Sequence, residues 1–130
     1  MKGYQNSLYP EDWIAVARRD LARVDRNLNE NDIEAAGFFL QQALEKYLKA
    51  FLLENGWKLQ KTHALHTLLD YAIEFNSQLE TFRSLCERVT GYYLTERYPQ
   101  LTAPEIARVD IEEDLEEARK LIKALFGEDQ

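Results

Sequence analysis

Apolar residues recur every three or four positions from Trp13 through Val16, Ala17, Leu21 and Val24 to Leu28. That is the period of a helix with one buried stripe. The spacing predicts a first helix from about Pro10, whose fixed φ suits a first turn, to about Asn29. A polar break follows at 29–32, and its Asn and Asp side chains can cap the next helix. The second helix, about Ile33 to Asn55, carries Phe39, Leu40, Ala43, Leu44, Tyr47, Leu48, Phe51 and Leu52. These cover an arc of about 200° on a helical wheel, wider than the roughly 100° of a surface helix. Such a helix is covered on two sides, by neighbours in a bundle or by another chain. Gly56 stands where a left-handed residue closes a helix.

Beyond the loop 57–62, a shorter third helix carries Leu65, Leu68, Leu69, Ala72, Ile73 and Phe75, and Asn76 and Ser77 break it. A fourth is expected from about Gln78 to Tyr98, with Gly91 as an internal weak point where a kink is plausible and Pro99 as its end. Thr102-Ala-Pro-Glu105 fits a capping box, and the last helix runs through Ile106, Val109, Leu115, Leu121 and Ile122 to Phe126. No sustained alternation of β-branched residues interrupts this pattern. The expected fold is all-α, an up-and-down antiparallel bundle of four main helices plus a shorter one, in one domain spanning 1–130.

Composition agrees: 45% hydrophobic, 30% charged, five Gly and three Pro among 130 residues exclude a disordered tail protein. No apolar run approaches the length of a membrane span, and Met1 to Trp13 lacks a secretory apolar core, so no membrane partner is expected. A lone Cys86 points to a reducing, cytoplasmic setting. The net charge of −7 is uneven, because residues 1–63 balance nine basic against nine acidic groups while the acidic surplus lies beyond them. General attraction to a polyanion is thereby disfavoured, whereas a local basic face in the first half is not.

Three segments resemble one family. Gln41-Gln42-Ala43-Leu44-Glu45-Lys46-Tyr47-Leu48-Lys49-Ala50 is similar to the QQAxEKxLKA signature of the HEPN domain. Lys61-Thr62-His63-Ala64-Leu65 with Leu68-Leu69 resembles its KTHxLxxLL segment, and Thr95-Glu96-Arg97-Tyr98-Pro99 its RYP stretch. The resemblance implies a helical bundle that pairs into a homodimer and partners a small nucleotidyltransferase in a two-component module of toxin–antitoxin type. It also implies nucleotide binding. Many members are metal-independent ribonucleases with an Arg, four to six residues, then a His on one helix. Here the histidines are His63 and His66, and neither follows an Arg at that distance. Arg88 has Tyr93 five positions on, but a phenol is a poor base at neutral pH. The leading expectation is therefore a non-ribonuclease accessory or nucleotide-binding subunit. The alternatives are a ribonuclease using Arg88 or Arg97 with His63 brought close by folding, or a purely structural dimerisation subunit. An RNA ligand is left open.

The candidate phosphate-binding residues are Lys46, Lys49, Lys61, His63, Arg97 and Tyr98. Lys46 and Lys49 share the narrow polar side of the second helix with Gln42, either as a solvated edge or as mobile point charges for a phosphate. His63 stands near a helix start, where Thr62 or His63 itself can cap and Lys61 can hold an anion. His66 lies three residues from His63, but without Cys ligands or an HExxH pattern no metal site is expected, and no cofactor is implied. Arg97 can fork onto a phosphate and Tyr98 can stack on a base; equally, they offset the helix end and fill the core. Arg19, Arg23 and Arg26 line one face of the first helix, most simply as a solvated stripe paired with nearby acids. Phe38, near the start of the second helix, is the candidate for a dimer seam.

Overall fold

Pro10 opens α1 (Pro10–Asn29), which buries Trp13, Val16, Ala17, Leu21, Val24 and Leu28, the stripe expected from their spacing. The computed structural model describes residues 4–97 and 106–127, with the side chains of 94–97 left aside. Asn31 takes a left-handed φ of 61° in the turn after α1. Asp32 then caps α2 (Ile33–Glu54), its carboxylate accepting from the Ala35 amide at 3.3 Å. Gly56 closes α2 with φ +84°, and the Trp57 amide turns back to the Leu52 carbonyl at 2.9 Å. The left-handed stop expected at Gly56 is present.

Every residue of α2 from Ala43 to Leu52 is buried. It packs against α1, α3 (Leu65–Ile73), α4 (Arg83–Arg97) and α5 (Arg108–Phe126). The wide apolar arc of α2 is thus taken up within the chain. Cross-contacts show α1 and α2 running antiparallel: Arg23 lies over Phe39, Asp20 meets Lys46, and Lys49 lies over Trp13. Gly37 lets α2 approach α4 closely, since a Cβ there would stand 2.8 Å from Tyr92 Cβ. The described residues are helices and connecting segments, an all-α bundle as expected. None of these helices is long and apolar enough to cross a membrane.

Several boundaries differ from expectation. α3 begins at Leu65 with no side-chain cap, so His63 precedes the helix and does not share a helical face with His66. The segment before α4 is a 3-10 turn, Ser77–Phe82, because the Asn76 side chain accepts from the Gln78 amide at 3.1 Å and starts a tighter turn. α4 then runs without interruption through Gly91. The Thr102–Glu105 capping box lies outside the described residues, and Ile106 precedes α5. Asp110 takes the capping part at the start of α5, accepting from the Ala107 amide at 3.4 Å. Arg108 donates to the Leu28 carbonyl at 2.6 Å and to Asn31 at 3.2 Å, tying the start of α5 to the end of α1, where the Leu28 carbonyl also accepts from the Asn31 amide at 3.0 Å.

Candidate functional site

Six polar or charged residues are buried among the described ones: Asp20, Gln41, Glu45, Lys46, Lys49 and Asp114. All but Asp114 belong to one hydrogen-bonded chain. Lys46 Nζ donates to Asp20 at 2.5 Å and to Gln42 at 3.3 Å. The Gln42 amide donates to Gln41 at 2.6 Å, and Gln41 donates to Glu45 at 3.3 Å. Glu45 Oε2 then receives both Lys49 Nζ at 3.1 Å and His63 Nδ1 at 2.8 Å. A carboxylate can only accept, so Nδ1 carries the proton and Nε2 is the ring's open nitrogen. Outside its network, each of these ions would face a desolvation penalty of several kcal/mol. The polar residues of the QQALEKYLKA segment therefore hold one another as a unit.

Lys46 and Lys49 are not a solvated edge. They are 6% and 3% exposed, and the two ammonium groups also face aromatic rings, Lys46 that of Tyr4 at 5.8 Å and Lys49 that of Trp13 at 5.2 Å. Antiparallel packing of α1 on α2 brings Asp20 and Trp13 to them. Of the Arg stripe on α1, Arg23 pairs with Asp20 at 3.4 Å and covers Phe39 at 5.2 Å.

Above this network opens a cavity of about 430 Å³. From α2 it is lined by Phe38, Gln42, Glu45, Lys46 and Lys49, and from the loop before α3 by Gln60, Lys61 and His63. Tyr93 of α4, Trp13 of α1 and the short turn Tyr4–Asn6 complete its walls. Four of the candidate residues, Lys46, Lys49, Lys61 and His63, thus meet at one cavity. Lys61 is exposed and has no partner among the described residues. Tyr98 lies outside the described residues, and Arg97 is described only as the last backbone position of α4.

Phe38 is a cavity wall, half-buried, stacked on Tyr93 at 5.6 Å and edge-on to Phe39 at 5.3 Å. Several residues gain a place here that sequence reasoning did not assign. Asp20 had a visible signal, an acid on the buried stripe between Ala17 and Val24. Tyr4, Gln5, Asn6 and Gln60 had none, because only chain reversal brings their segments to α2.

Arg88 belongs elsewhere. It pairs with Asp114 at 2.9 Å and Glu117 at 2.5 Å, and Tyr92 donates to Asp114 at 2.6 Å. These carboxylates raise the Arg88 pKa. Burial first, then the Asp114 hydrogen bond, raises that of the Tyr92 phenol. Arg88 lines a second cavity with Tyr92, Asp110, Glu113, Asp114 and Glu117, while Tyr93 faces the first. Neither of the two described cavities holds Arg88 together with Tyr93 or His63, and four acids beside Arg88 repel a phosphate.

Fold and site together define a helical bundle whose central helix carries a buried ionic chain beneath a cavity with basic and aromatic walls. The chain belongs to the HEPN domain family, whose model matches residues 10–128. No curated protein and no solved structure matches it closely enough to add a relative.

Proposed function

We propose that this HEPN protein is a cytoplasmic, nucleotide-binding accessory subunit that works beside a small nucleotidyltransferase in a two-component module of toxin–antitoxin type. The observation that carries the ligand half is the meeting of Lys61 and His63 with Lys46 and Lys49 at one aromatic-walled cavity. Its volume of about 430 Å³ is in the range of small-molecule sites. Aromatic faces accept a base by stacking, and the exposed Lys61 ammonium suits phosphate oxygens. Arg97 and Tyr98 join the site on the family resemblance alone.

Calorimetric titration of adenine nucleotides and a short RNA into the protein tests this, with Lys61→Ala, His63→Ala and Arg97→Ala alongside. A nucleotide Kd below about 1 mM, weakened at least about fivefold by the Lys61 and His63 changes, is expected. No binding of any nucleotide at millimolar concentration overturns the ligand half. The partner half rests on family membership, and co-elution with a nucleotidyltransferase encoded in the neighbouring reading frame tests it; absence of such a neighbour overturns it. Homodimer formation belongs to the same proposal, and a single-chain mass by light scattering removes it.

A further inference from the structure

We propose that His63 is a positioning residue: its Nδ1 bond to the buried Glu45 carboxylate pins the loop before α3 to α2 and so fixes where the Lys61 ammonium stands at the cavity. This rests on the nucleotide reading above and gives His63 a part in it other than ligand contact. Residues 57–64 form neither helix nor strand. The two ends of the loop are firm, since the Trp57 amide bonds the Leu52 carbonyl at 2.9 Å and Leu65 is fully buried. Between those ends, among the described residues, 58–63 make no backbone–backbone hydrogen bond. Side chains therefore hold the loop.

The Trp57 ring packs on Tyr71 at 5.9 Å, and the Tyr71 hydroxyl donates to Gln60 at 3.4 Å, a long bond at an exposed position. The bond from His63 to Glu45, at 2.8 Å, is much shorter, and its acceptor is well fixed. Glu45 is 4% exposed, and Lys49 at 3.1 Å and Gln41 at 3.3 Å hold its carboxylate in place. The His63 side chain itself is 75% exposed, so packing adds little to the bond. The tether needs only the Nδ1 proton, which the neutral and the charged imidazole can both present, so it does not depend on the charge of the ring.

Lys61 lies between Gln60 and this tether, exposed and with no partner of its own among the described residues. Its place at the cavity is inherited from its neighbours' contacts. Ordering a loose loop on binding costs affinity, and a loop held beforehand avoids that loss.

Substitutions at position 63 separate positioning from contact. Asparagine carries its Nδ2 donor one bond beyond Cγ, as histidine carries Nδ1. His63→Asn therefore keeps a donor for Glu45 and loses the atom at the place of Nε2, whereas His63→Ala loses both. Neither change leaves Glu45 unpaired, because Lys49 still bonds it.

AMP is the probe, titrated into the full chain and its variants. His63→Ala is expected to weaken AMP about fivefold, and His63→Asn to stay within about twofold of the unaltered protein. Adding His63→Ala to Lys61→Ala is expected to weaken AMP no further, because the two act through one contact. Backbone amide relaxation reads the tether without ligand. Order parameters of residues 60–63 should fall below about 0.6 in His63→Ala and recover in His63→Asn. Order parameters unmoved by His63→Ala overturn the tether. An AMP loss in His63→Asn equal to that in His63→Ala, or a further loss of about fivefold in the double variant, puts His63 on the ligand and overturns the positioning role. Failure of AMP and every other nucleotide to bind overturns the nucleotide reading and the role toward a ligand with it, while the order parameters still decide the tether.

Discussion

Gly37 and Gly91 both sit inside helices, and a methyl group has opposite consequences at the two. At Gly37 a Cβ would meet Tyr92 Cβ at 2.8 Å, its Cγ at 3.1 Å and Ile111 Cδ1 at 3.2 Å. These are packed atoms, so Gly37→Ala is expected to destabilise by about 1–3 kcal/mol despite alanine's better helix propensity. At Gly91 no described atom outside the local helix lies within 4 Å of that Cβ. Gly91→Ala is expected to stabilise by about 0.5–1 kcal/mol through the unfolded chain's lost freedom. Urea midpoints of the two variants check the opposite signs. The Asp20–Lys46 pair makes a further residue-scale case. Lys46→Ala leaves the buried Asp20 carboxylate only the longer Arg23 contact at 3.4 Å and is expected to destabilise by about 2–4 kcal/mol, whereas Lys46→Met with Asp20→Leu loses far less. Equal losses in the single and double variants would contradict an ion-pair origin.

The first element, the short turn Tyr4–Asn6, forms one wall of the cavity yet is fastened by few contacts. Trp13 Nε1 donates to the Ser7 carbonyl at 3.0 Å, Ser7 Oγ donates to Asp12 at 2.6 Å, and the Tyr4 ring meets Trp13 edge-on at 5.4 Å. Leu8 and Tyr9 point outward, 68% and 65% exposed, and add no anchor. Trp13→Phe keeps the ring and removes the indole donor, so amides of residues 4–9 should exchange with solvent faster while those of α2 keep their protection. Unchanged exchange in that segment would show that the Ser7 contact does not hold it. α2 differs in kind. Its buried lysines and glutamate have partners on α1, on α2 itself and in the loop before α3, so it is positioned from several directions.

For the whole molecule, the packing sets a pH limit. Burial pushes the Cys86 thiol up to about 12, and burial together with the Asp114 bond raises Tyr92. A raised folded pKa means the native state keeps a proton that the unfolded chain releases. The associated stability is fully present below the unfolded values, 9.0 for the thiol and 10.0 for the phenol, and is lost as pH rises toward the folded ones. Urea midpoints should therefore fall from about pH 9 upward, with Cys86→Ala flattening the first part of the fall. A midpoint constant to pH 10.5 (about the ordinary tyrosine value) would contradict this. The buried thiol should also resist alkylation at neutral pH until the chain unfolds.

The helices, their order and the Gly56 stop were readable along the chain because they depend on near neighbours: a buried stripe repeats every turn, and a cap acts within a few residues. The same local reading misplaces the start of α4's segment, where Asn76 favours a tighter turn, and leaves Lys46 and Lys49 either as a solvated edge or as charges for a phosphate. Their true setting depends on partners distant in sequence. Asp20 lies 26 residues from Lys46 and His63 lies 18 from Glu45, separations that no helical period links. By itself the sequence determined an all-helical chain with a heavily apolar second helix and the HEPN signatures. Only the tertiary structure decided that the first two of those signatures line one cavity and that Arg88 is held by acids at another. The physical reason is that charge pairing across a bundle depends on how the helices cross, which the whole core sets together.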